Sequence, residues 1–209
     1  VAKTRLAFAV GLLGLVVAGC SDASEAGDVA LDRYLCEQSD LEGRFLQLVS
    51  GAFSRDDLGG LGLDPEERKR EYRAAGMQRG RFVFWKQGLP RPPFDPPMNV
   101  VCQVLVFETA AQAAAWVSAL APDASDVAAS GIIWLPGRER EVTEIEPIAG
   151  GRAFRVVAEE GNARVTLIAT YEAEGNIVRS VFAGDRDGAV TAEYVAAIRE
   201  RQERRLAAQ

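Results

Sequence analysis

The sequence predicts an α+β fold: an antiparallel sheet made from two similar β-strand–helix units, with the helices packed on one face. Three observations carry this. The segments "EVTEIEPI", "RAFRVVAE", "ARVTLIATYE" and "NIVRSVFAG" are rich in β-branched and aromatic residues, and the turn-forming "EEGN" and "EAEGN" separate the last three, which is the signature of a meander. Two helix starts stand out at Asp64-Pro65-Glu66-Glu67 and at Thr109 with Gln112 three residues on. Finally, "NVVCQVLVFETAAQAAAWVSAL" from Asn99 and "NIVRSVFAGDRDGAVTAEYVAAI" from Asn176 share one layout, with Trp116, Val117 and Leu120 matching Tyr194, Val195 and Ile198. That likeness reads as an internal duplication of one strand–helix unit.

The elements follow in order. "GRFLQLVSGAF" (43–53) lies between two glycines and reads as a strand, after which Ser54 caps a short turn. The helix opened by Asp64 and Pro65 carries "PEERKREYRAAGM", a mostly polar, solvated face. Strands are expected at 81–87 ("RFVFWKQ") and 99–108 ("NVVCQVLVFE"), joined by the proline-rich "GLPRPPFDPPM". Thr109 begins a helix whose apolar stripe is Ala113, Trp116, Val117 and Leu120, and Pro122 ends it. After "GIIWLP" and the four meander strands, a last helix is expected from about Ala189 to the C-terminus.

The first twenty residues have a different character. Lys3 and Arg5 precede the apolar run "LAFAVGLLGLVV", which is too short to span a bilayer, since spanning takes about 20 apolar residues. Small residues and then Cys20 follow. Val17-Ala18-Gly19-Cys20 resembles the lipobox of bacterial lipoproteins, and that resemblance implies a signal peptide over 1–19 and, on Cys20 as the first mature residue, a thiol carrying a diacylglycerol with palmitate-type chains. It further implies export, with the chain held by Cys20 to the outer face of the cell membrane or to the outer membrane. Residues 20–39, opening "CSDASEAGDVA", read as the lipidated cysteine and an acidic tether, and 40–209 as one domain with halves at about 40–122 and 131–209.

Composition narrows the chemistry. Removing 1–19 takes away two positive charges and moves the formal net charge from −6 to −8, which does not suit nucleic-acid binding. The sequence contains no histidine, which excludes His-dependent nucleophile triads and the common zinc and iron ligand sets. Cys102 shares a strand face with Val100, Val104 and Val106, while Cys36 lies where the chain enters the domain. An oxidising compartment favours a Cys36–Cys102 disulfide; the other reading is two buried free thiols.

Most other motifs have ordinary readings. Asp185-Arg186-Asp187-Gly188 lacks the flanking ligands of a calcium loop, with Ala183 and Tyr194 at the required positions, so no metal site is expected. The proline-rich loop stiffens a hairpin, or else offers a binding lip at Phe94 and Met98. Glu66-Glu67 and "REREVTEIE" hold paired carboxylates, but acids are commonplace at helix starts and strand edges. No catalytic residues and no cofactor are expected.

Beyond the lipobox, the "DL-x-G-x-F" motif (Asp40, Leu41, Gly43, Phe45), the "SRDDL" turn, "GNIV" and the terminal "A-x-x-R-x-R-Q-x-R" helix resemble uncharacterised exported lipoproteins of actinobacteria and chloroflexi over most of 40–206. That resemblance implies no activity and no site residues. The expectation is a non-enzymatic lipoprotein that binds an envelope partner. The alternatives are a carrier of lipid or another hydrophobic ligand and, third, an enzyme of unfamiliar type.

Overall fold

In the computed structural model, residues 31–59, 65–88, 99–120, 140–160, 163–186, 188 and 190–209 are described. Seven strands form one antiparallel sheet: β1 (Phe45–Ser54), β2 (Met77–Gln87), β3 (Asn99–Phe107), β4 (Arg140–Ile148), β5 (Gly151–Glu160), β6 (Ala163–Glu174) and β7 (Ile177–Arg186). Among the described residues the α-helices of five residues or more are α1 (Arg55–Gly59), α2 (Pro65–Ala74), α3 (Ala110–Ala119) and α4 (Ala192–Ala207). The strand order is β1-β2-β3-β7-β6-β5-β4. Two meanders, β1 to β3 and β4 to β7, therefore meet where β3 pairs with β7.

Local chemistry sets the turns. Ala149 and Gly150 both take positive φ, 51° and 79°, so the β4–β5 hairpin closes in two residues with the twist its strands require. The β6–β7 turn uses Gly175 at φ 57°, and Asn176 then latches onto the end of β3 by exchanging bonds with Phe107. Ser54 and Asp57 cap α1 reciprocally: the Ser54 amide donates to Asp57 Oδ2 and the Asp57 amide to Ser54 Oγ. The Ser54 amide and then the Ser54 hydroxyl, both donating to Asp57 Oδ2, hold the Asp57 carboxyl below its usual range. Thr109 caps α3 by accepting from the Gln112 amide, as the sequence predicts. The last helix starts at Ala192 rather than near Ala189, because Thr191 supplies the capping oxygen.

The helices do not share a face. α3 packs through Ala113, Val117 and Leu120 over Leu105, Phe107, Tyr171, Val178 and Phe182. α4 packs through Val195 and Ile198 on the opposite face, over Val100, Cys102, Val104, Val181 and Ala183. The expectation of helices on one face is overturned, and the reason lies in β3 and β7. Both strands are apolar on both sides, and a sheet so built needs cover on each. The strands of the two supposed repeat units do pair with each other, Asn99 to Val106 against Gly184 to Ile177. Their helices, however, have no common packing.

The folded body also begins ahead of residue 40. Leu31, Leu35 and Cys36 are buried with Leu41 and Phe45 on the α4 face, so the second half of the expected tether is part of the core.

Candidate functional site

The predicted site residues divide in two. Cys36 and Cys102 are joined in a disulfide, with Cα atoms 5.7 Å apart. Cys20, Phe94 and Met98 lie outside the described residues, as do the "GIIWLP" segment and most of the proline-rich loop. Asp185 is buried at the end of β7, and among the described residues no three His, Cys, Asp or Glu side chains gather as metal ligands. Among the same residues no helix is long and apolar enough to cross a membrane.

Around the disulfide, α4 clasps the incoming chain. Arg205 donates to the carbonyls of Arg33 and Leu35 and to Asp40 Oδ2, at 2.9, 2.6 and 3.0 Å. Gln202 donates to the Tyr34 carbonyl and Arg201 to that of Asp40. Trp85 of β2 adds a bond from its indole nitrogen to the Cys36 carbonyl. Beneath this clasp lie two guanidiniums, those of Arg179 (3% exposed) and Arg199 (1%). Arg179 reaches Glu172, Glu174 and Glu203 at 2.8, 3.2 and 2.8 Å, and Arg199 is paired with Glu172 and Glu203. Burial pulls the Arg199 guanidinium below its ordinary value, against the attraction of Glu203. Sequence reading passed over this cluster, since each residue by itself looks like one more surface charge. Its carboxylates are committed to guanidiniums, so the group works as a closure of the core.

A second arginine has a similar duty on the other face. Arg152 grips Glu144 through Nε and Nη2 at 2.8 and 3.0 Å, and its Nη1 donates to the carbonyls of Val117, Ser118 and Leu120 at the end of α3. A cation there satisfies carbonyls that the helix leaves without partners.

The surface available for recognition is β1. Among the described residues this strand pairs with β2 alone, and no described strand bonds its other edge. From Phe45 to Ser54 it carries no charge and no proline. Leu46, Leu48 and Val49 are 64%, 52% and 43% exposed. The ladder passes from Gln47↔Trp85 to Val49↔Phe84, leaving Leu48 as the extra residue of a bulge, so that Leu46 and Val49 fall on the same face of the strand. Half-buried Phe84 and Phe82 lie beside them on β2, and the Phe53 ring lies 6.1 Å from that of Phe82. Gly80 makes room for Phe53: a Cβ there would sit 2.5 Å from that ring and 2.6 Å from the Val104 carbonyl oxygen. The result is an apolar strip along an open strand edge.

No protein-family model matches this chain, and no curated protein sequence matches it. A likeness emerges among solved structures. The crystal structure of the extracellular domain of PknH from Mycobacterium tuberculosis aligns with a TM-score of 0.55 over 86% of this chain and 96% of that one. At 11% identity, what is shared is the fold. That an extracellular domain adopts it, and that Cys36 and Cys102 are bridged, are both compatible with an exported protein.

Proposed function

We propose that this chain is an exported, non-enzymatic binding protein, tethered to a membrane by an acylated Cys20, whose β1 edge engages a second component of the cell envelope. One observation carries the binding role: an uncharged, exposed apolar strand edge on a sheet whose other edge is guarded. Strand addition to such an edge gives affinity through main-chain bonds and selectivity through the side chains beside it. Exposed apolar groups clustered this way mark contact surfaces. The disulfide and the lipobox-like Val17-Ala18-Gly19-Cys20 support the location.

Two experiments test this reading. Cys20→Ser should release the protein from the membrane fraction and abolish a mass increment from fatty chains; continued membrane retention without such an increment would contradict the anchor. A photo-crosslinking residue placed at Leu48 in living cells should form a covalent adduct, while one at Glu144 on the opposite edge should not. Equal adduct formation at both positions, or none at Leu48, would remove the binding role. A lipid adduct from Leu48 would favour the carrier reading instead.

A further inference from the structure

Resting on the reading of β1 as a binding edge, we infer that its occupant is an extended segment of another envelope protein, added antiparallel to β1, with a carboxylate near its C-terminal end. The strand is neutral from Phe45 to Ser54, but the residues at its first end are not. Arg44 immediately precedes β1, and its carbonyl accepts from the Gly88 amide, which carries the ladder one pair beyond Phe45↔Gln87. Lys86 stands opposite Leu46. The alternation of the ladder puts Arg44, Leu46 and Lys86 on the side of the sheet that also carries Val49, Phe84 and Phe82. Both cations are exposed, and among the described residues neither has an ion pair or a side-chain hydrogen bond.

The acids around β1 do not answer them. Glu42 is held by Arg201, Asp56 lies against Arg55 and Arg73, and Asp57 caps α1 through Ser54. Two free positive charges therefore stand at one end of an apolar strip, in a chain whose formal net charge is −6. A carboxylate completes such an end, because charge-assisted hydrogen bonds from a guanidinium and an ammonium are among the strongest a surface can make. The β1 region of a second copy brings only acids that are already committed, so the carboxylate comes from a different chain.

Direction follows from the sheet. Every strand pair in it is antiparallel. A segment added in the same sense ends beside Arg44, which sets its carboxylate toward its C-terminus, and its earlier side chains pass Leu46 and Val49. An anionic bilayer surface also carries negative charge, but hydrocarbon leaves the backbone of an open edge without partners. An added strand supplies those partners.

The test uses the full chain in its own cells, with the photo-crosslinking residue at Leu48. Arg44→Glu combined with Lys86→Glu should cut the yield of protein adduct by about tenfold or more, a loss of the size that opposed like charges produce. Arg44→Lys combined with Lys86→Arg should keep it. Mass spectrometry of the adduct should place the cross-link in a segment with Asp or Glu within about five residues on its C-terminal side, the span from Leu48 back to Arg44. Reversing that acid to Lys should restore the adduct with the Arg44→Glu, Lys86→Glu protein, which also shows that this protein folds. A protein adduct indifferent to the charge reversal, a captured segment without such an acid, or no rescue would overturn this inference and leave the proposed function standing. An adduct to a second copy of this chain or to lipid alone would overturn it as well, and no adduct at Leu48 would remove both.

Discussion

Two regions at the same end of the sheet are built to opposite specifications. Residues 31–42 are fixed by a disulfide, by three α4 side chains that bond their backbone, and by two buried arginines beneath them. β1, the next element in the chain, leaves Leu46, Leu48 and Val49 largely in water and holds no ion pair along its length. Where the chain enters the folded body the structure places its strongest links, and where it presents an edge it places none. Stability and recognition are thereby assigned to different residues, so mutations should separate them.

The largest effect should come from the disulfide. Cys36→Ser with Cys102→Ser opens a loop spanning 66 residues in sequence, and chain entropy puts the loss at about 4 kcal/mol. Urea unfolding monitored by fluorescence of Trp85, which donates to the Cys36 carbonyl, would measure it. Arg199→Met comes next. It leaves Glu172 and Glu203 to Arg179 alone, and because both carboxylates keep some access to water the loss should be about 3 kcal/mol, the low end for a broken buried pair. If either change cost less than 1 kcal/mol, the entry segment would not be the fixed region described here.

A stabilising change should sharpen the picture of the core. Gln103 and Ser180 are cross-strand partners, buried on the α3 face, and among the described residues neither Gln103 amide atom nor the Ser180 hydroxyl has a hydrogen-bond partner. Gln103→Leu removes the desolvation penalty and should raise stability by about 1 kcal/mol. A loss of that size would instead show that the amide is satisfied in solution. Alkaline titration should add a smaller slope. Burial pushes the Tyr194 hydroxyl up to about 12, so the native state keeps its proton after the unfolded chain has lost it near pH 10. Stability should therefore fall as pH rises from about 10 to 12, and Tyr194→Phe should flatten that fall. The smallest effect belongs to β1. Leu48→Lys should change stability by less than about 0.5 kcal/mol while abolishing association, the reverse of what Arg199→Met should do.

Much of this architecture was readable in advance, and the parts that were not share a cause. Strand content and the Thr109 cap are local, read from β-branched runs and one capping oxygen, and the Cys36–Cys102 bridge, though 66 residues long, had only two thiols to choose from in the domain. The face chosen by α4 was not legible, because a stripe of Val195 and Ile198 fits either side of a sheet that is apolar on both. Arg179 and Arg199 looked like solvated charges because their partners come from β6 and α4, far apart in sequence. The exposure of β1 was equally hidden, since "FLQLV" reads as core until the strand order makes it an edge. One signal was available there: ten residues without a charge in a chain that is 26% charged.

The most direct measurement labels β1 in place. With Leu48→Cys and, separately, Glu144→Cys, intact cells and dilute purified protein are treated with a maleimide that does not cross membranes. A covered β1 predicts that Leu48→Cys reacts slowly in cells and rapidly in dilute solution, with Glu144→Cys reacting rapidly in both. Equal, fast labelling of both positions in cells would mean that the edge stays open and that nothing in the envelope binds there.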